Sequence, residues 1–410
     1  MTMIRDQLLR PIQEGILRSQ GWLLLRKNAL YGLSATRILV GVAMLGVLLT
    51  NFSSRHVLWG VGSFWAEPYR ETNAFGGLVD LFGVESPALF TLMYLALIGV
   101  AVAVIIGWRT RLTTLLLALG MAALVERASP MGDQGDNIAR IGLLLMVLMS
   151  TAEHWSLDAR RRRLGEQRAA RGELSVGMRF WHSMPVLPAW WTNLLHNGAL
   201  IALACQIFIL YTASALYKVQ GSTWQAGTAL YYPLSLHEYG VFPWLNSLVT
   251  GNPVLLTTLT YFSVYVQLFF AVGLLHPVTR RLALIGIVLL HGGIAVMMGL
   301  PWFSLAMLAF DAIFVSDRTY RFLERLAAAA GAPLRARLPG PLRRLLPPPQ
   351  GQGDQTSPGS EAAAQQGESK KRGKGHEPKG QELKDRQSKD QKSTGKASKD
   401  ETVGAGSRRR

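Results

Sequence analysis

The sequence predicts an all-α integral membrane protein: about eight transmembrane helices in one bundle, followed by a disordered basic C-terminal tail. Three observations carry this prediction. Apolar residues form 49% of the 410-residue chain and are gathered in runs of about membrane-spanning length. The basic residues, which give a formal charge of +17, lie between those runs and in the tail. From about residue 350 the composition changes to Gln, Gly, Ser, Lys and Glu, with too little apolar surface to offset the entropy of ordering.

Residues 1–33 form a cytoplasmic N-terminal segment carrying Arg5, Arg10, Arg18, Arg26 and Lys27, and the apolar run after them is long enough to stay as an anchor. The transmembrane domain covers 34–316. Its apolar segments are 34–51, 88–107, 112–126, 138–152, 197–217, 253–275, 281–299 and 302–316. All are expected to be helices, because open strands leave backbone groups unsatisfied in lipid. The third, fourth and eighth are short for a span of ~20 residues, so tilt or burial among neighbours must help them. Residues 317–349 are a juxtamembrane basic segment, either an amphipathic helix on the anionic inner leaflet or a tether without specificity. Residues 350–410 are the low-complexity tail.

Charge sets the orientation. With the N-terminus inside, the inner loops hold sixteen Lys and Arg and the outer loops four: Arg55, Arg70, Arg127 and Lys218. That bias places a multi-pass protein in the plasma (cell inner) membrane with both termini cytoplasmic. The apolar runs make topology, rather than nucleic acid, the explanation of the basic balance, so the expected contacts are lipids and not nucleic acid. The single cysteine, Cys205, excludes an intrachain disulfide.

Charged side chains within spans are costly, so each needs a reason. For Arg37 and Asp311, near the inner ends of the first and eighth spans, snorkelling or a local partner is preferred over function. In "MGDQGDNIARIGLLL" (131–145), Asp136 and Arg140 are four apart and on one helical face, where they can pair; Asp133 and Asn137 add polar groups. This is either a structural ion pair or a ligand-facing site. Tyr211, Ser214 and Lys218 share a face of the fifth segment, with Lys218 near its outer boundary. That lysine either snorkels or, desolvated, serves as a neutral amine able to accept a proton. His291, near the midplane, either hydrogen-bonds a neighbouring helix or transfers protons, and Gly292 and Gly293 beside it suit close helix approach. No metal-binding, P-loop or CxxC pattern is expected to act here. The aromatic outer loops "LWGVGSFWAEPY" and "YYPLSLHEYGVFPW" either belong to an interfacial belt or roof a pocket for a flat apolar ligand.

Three blocks occur in a recognisable order: "GDNIARIGLLLMVLMSTAEHWSLD" (135–158), "LYTASALYKVQGSTWQAGTALYYPL" (210–234) and "HGGIAVMMGLPWF" (291–303). They resemble the HTTM (horizontally transferred transmembrane) family, related to vitamin K-dependent gamma-carboxylase, and within it the bacterial members similar to sporulation-delaying protein B. The resemblance covers about 34–316, and its most specific part joins Lys218, Trp224 and Gly227. It implies that Lys218 is a base toward reduced vitamin K or another quinone, and that His291 matches a family histidine. Both would face the extracytoplasmic side. Two departures stand against full carboxylase chemistry: Asp136–Asn137 replaces a family histidine, and the large soluble substrate-holding region is absent. The sporulation-delaying-protein-B-like members imply instead maturation of a small exported peptide, with a maturation partner protein. Two function classes therefore stand: a lyase-type carboxylase-like enzyme acting on an exported peptide, and a non-enzymatic ligand-binding, immunity or transport protein.

Overall fold

A computed structural model of the chain describes residues 2–70, 80–172, 175–181, 183 and 187–337. The expected low-complexity tail and part of the outer loop after the first span lie outside the described residues. The chain divides into two compact units, Met1–Ala332 and Pro333–Arg410, and the first holds every site described below.

The described residues are helical, without strands. The main helices are α1 (Thr2–Leu24), α2 (Leu30–Thr50), α3 (Pro87–Ile106), α4 (Thr110–Arg127), α5 (Gln134–Leu148), α6 (Leu157–Ala169), α7 (Ala189–Gln220), α8 (Pro253–Leu268), α9 (Pro277–Met297), α10 (Pro301–Asp311) and α11 (Asp317–Arg337). Four are long and apolar enough to cross a membrane: α2, α3, α7 and α9. The other apolar segments are helical but shorter. The sixth is broken at Phe269, where α8 ends and a separate turn, Phe270–Gly273, begins.

Local sequence fixes where these helices start and stop. Proline opens α3, α8, α9 and α10, where its missing N–H is not needed. Ser86 and Asn252 cap the backbone N–H groups of Leu89 and Leu255. Gly107 ends α3 in the left-handed region at φ 69°, which glycine adopts without steric cost.

The short α10 lies at the centre, packed against α2, α5, α7 and α9. Its brevity suits burial: Ala306, Met307, Ala309, Phe310 and Asp311 are all withdrawn from solvent. Small residues admit it, since a Cβ on Gly46 of α2 or Gly142 of α5 would strike the rings of Trp302 and Phe310. Outward, α9 shows Leu282, Ile285, Val288 and Leu289, an apolar face suited to lipid rather than water.

At the opposite end from the α9–α10 turn, Arg37 is fully buried. Its guanidinium donates to the carbonyls of Val104 (2.6 Å), Ile105 (2.5 Å), Thr151 (3.1 Å), His154 (3.4 Å) and Trp155 (2.8 Å). These include orphan carbonyls of the last turn of α3, where a cation is favourable. Arg37 therefore ties three chain segments together instead of snorkelling. Asn197 of α7 plays a similar part, donating to the carbonyls of Trp22, Leu23 and Arg26 at the end of α1.

Candidate functional site

The helical phase of α7 places Tyr211, Ser214 and Lys218 along one side, and α8, α9 and α10 supply their partners. Lys218 Nζ donates to Gln267 Oε1 at 2.7 Å, and Ser214 Oγ donates to the same oxygen at 3.2 Å. Among the described residues no carboxylate pairs with this amine. Gln267 is buried near the end of α8, which runs antiparallel to α7. Lys218 thus sits at the level of the last turn of α8, not at its opening.

The spacing of Lys218, Trp224 and Gly227 has a structural explanation. Gly221 ends α7, and the short helix Ser222–Gln225 folds back so that the Trp224 ring covers the Lys218 amine, 4.9 Å from Nζ to the ring centroid. Such a contact contributes roughly 0.5–2 kcal/mol. Tyr261 of α8 holds this turn through a 2.7 Å bond to the Gln225 carbonyl. Gly227 then reverses the chain at φ 72°, where a Cβ would lie 2.7 Å from Thr257 Cγ2. Only glycine meets both demands.

Below Lys218 lies a second polar cluster. Tyr211 donates its hydroxyl to Asp311 Oδ2 at 2.6 Å, and the Tyr211 hydroxyl oxygen is 3.3 Å from His291 Nε2. With the hydroxyl hydrogen committed to Asp311, the imidazole contact requires Nε2–H as donor, which leaves Nδ1 as an acceptor. Among the described residues, His291 Nδ1, Asp311 Oδ1 and Ser304 Oγ are buried without a hydrogen-bond partner. Phe270 packs edge-on to Tyr211, and Phe303 lies against His291. The sequence reading placed His291 and Tyr211 among candidates but gave Asp311 to the inner boundary. Gln267, a lone amide within "YFSVYVQLFF", is a partner that the spacing of ionisable residues does not reveal.

The pair expected between Asp136 and Arg140 is replaced by other partners. Asp133 and Asp136 form a reciprocal capping box at the start of α5, each carboxylate accepting the other's backbone N–H at 3.0 Å. Arg140 turns to Glu126 of α4 at 2.9 Å and to the side-chain amide oxygen Oδ1 of Asn137. The physical reason is that α5 begins at Gln134, so Asp136 belongs to the first turn, where the free N–H groups of the helix start compete with the half-buried Arg140 guanidinium.

A cavity of about 250 Å³ opens where α2 and α4 end and α5 and α10 begin, lined among others by Trp59, Met121, Asp133, Asp136, Trp302 and Phe303. Its size and flat aromatic walls would admit a quinone ring. Lys218 and Gln267 do not line it, however, so it does not bring a ring against the amine that the carboxylase resemblance makes the base. Among the described residues, no group of three or more His, Cys, Asp or Glu is placed to hold a metal.

Over 260 residues the chain is 25% identical to the sporulation-delaying protein SdpB of Bacillus subtilis (strain 168), a match covering 62% of this chain and 72% of that one. The relationship is a distant, SdpB-like one. No family model matches the chain. No solved structure matches it.

Proposed function

We propose that this chain is an eight-span plasma-membrane protein of HTTM type, with both termini cytoplasmic, that acts in the maturation of an exported peptide through an outward-facing site centred on Lys218. The observation that carries this reading is the placement of the Lys218 amine. It turns inward to a neutral amide on a neighbouring helix, under a tryptophan ring, and among the described residues no carboxylate pairs with it. A snorkelling lysine gains by reaching water or phosphate. This one is held in a fixed direction by an acceptor that brings no negative charge, which is how a proton-accepting amine is set up. The buried Tyr211–Asp311–His291 cluster one to two turns away supplies further groups that hold protons.

The SdpB-like relationship supports the assignment to peptide maturation, and the Lys and Arg distribution between loops supports the orientation. No step is routed through a quinone, because the cavity and the amine are separate. The test compares exported peptides, by mass spectrometry, from cells producing the chain or Lys218→Ala at matched membrane amounts. A peptide species present only with the unaltered chain is expected. Identical spectra would contradict the proposal.

A further inference from the structure

We infer that the cavity at the outer end of the bundle binds an organic ammonium group, the amino terminus or a lysine side chain of the exported peptide; this rests on the maturation reading above and adds where that substrate is held. The cavity has two properties rarely combined in an apolar bundle. Its walls are aromatic and thioether-rich, with Trp59, Trp302, Phe303 and Met121, while Asp133 and Asp136 stand at one side. Rings present negative faces to a cation, and carboxylates complete the attraction.

The charge balance around the cavity points the same way. Of the arginines around the cavity, Arg127 binds Asp80 at 2.8 Å and Arg140 binds Glu126 at 2.9 Å, while Arg55 and Arg70 donate to backbone carbonyls and to the Thr91 and Ser63 hydroxyls. Asp133 Oδ1 accepts the Asp136 N–H and Asp136 Oδ2 accepts the Asp133 N–H, both within the α5 cap. Among the described residues neither belongs to an ion pair. The two carboxylates at the cavity are therefore open to a cation from outside the chain. A zwitterionic lipid headgroup fits less well, since its phosphate would meet two carboxylates. On the topology proposed, the lining loops face outward, where an exported peptide arrives.

Isothermal titration of the purified full-length protein tests this, with lysyl-phenylalanine amide as probe and its doubly acetylated, neutral form as control. The cationic probe should bind at least tenfold more tightly than the neutral one. Asp133→Asn combined with Asp136→Asn should weaken it about tenfold while keeping the helix cap, because asparagine caps as well as aspartate. Trp302→Ala should also weaken it, and Lys218→Ala should leave it within twofold. Equal binding of the acetylated probe, or no loss in the Asn double variant with an unchanged melting temperature, would overturn the inference. Displacement of the peptide by lower concentrations of phosphoethanolamine would overturn it in favour of lipid. None of these results bears on the exported-peptide spectra, so failure here leaves the Lys218 reading to its own test.

Discussion

Lys218 Nζ and Gln267 Oε1 are joined by a 2.7 Å hydrogen bond between antiparallel helices, each residue close to the C-terminal end of its own helix. That relationship decides the depth of the lysine. At ~1.5 Å per residue, the 32 residues of α7 extend about 48 Å, well beyond a ~30 Å hydrocarbon core. The amine near its end is nonetheless covered, because the segment from Ser222 to Thr250 folds over that end of the bundle. Leu234 and Val249 from this segment bury against Leu256, Met297 and Met298.

Exchanging the amide for a carboxylate separates a held amine from a merely seated one. Gln267→Glu keeps the length and an acceptor for Lys218 while adding a negative charge that retains the proton. The variant should insert and fold as before yet lose maturation about 10²-fold, read from the exported peptide. Full activity would show that the proton on Lys218 is irrelevant.

Tyr211→Phe removes the one hydroxyl shared by Asp311 and His291, leaving a buried carboxylate and a buried imidazole without it. The cost should be about 1–3 kcal/mol, seen as a lower thermal midpoint in detergent. Ser214→Ala, whose partner Gln267 keeps Lys218, should cost less than about 1 kcal/mol. Equal midpoints for the two variants would contradict the assigned network.

The corrected ion pairing is open to a double-mutant cycle. Arg140→Ala with Glu126→Ala should show a coupling of about 1 kcal/mol, whereas Arg140→Ala with Asp136→Ala should be additive. The reverse pattern would restore the pairing read from the i, i+4 spacing.

Arg37 offers a strong stability test. Arg37→Met keeps much of the buried volume but strands five carbonyls, and should lower stability by about 3–5 kcal/mol with little folded protein recovered. Normal yield and melting would show that water replaces the guanidinium.

What the sequence disclosed followed from composition and period. Each apolar run is helical, because nothing but a helix satisfies a backbone in an apolar stretch of that length. The face joining Tyr211, Ser214 and Lys218 was legible for the same reason, since helical spacing alone sets it. Partners from distant helices were not. Asp311 appears terminal along the chain, yet α10 is short and central, so its last residue reaches Tyr211. Arg140 and Glu126 are fourteen positions apart and meet only because α4 and α5 form a hairpin. Gln267 carries no charge, so the pattern of ionisable groups does not disclose it.

The central claim, that Lys218 acts by accepting a proton, is tested most directly by Lys218→Arg. Arginine keeps the positive charge, can reach Gln267 and cover the Trp224 ring, and effectively never gives up its proton. At equal amounts of folded membrane protein, Lys218→Arg should abolish the exported-peptide product as completely as Lys218→Ala, a fall of about 10²–10⁴-fold. An active Lys218→Arg would contradict the account and reduce Lys218 to a structural cation.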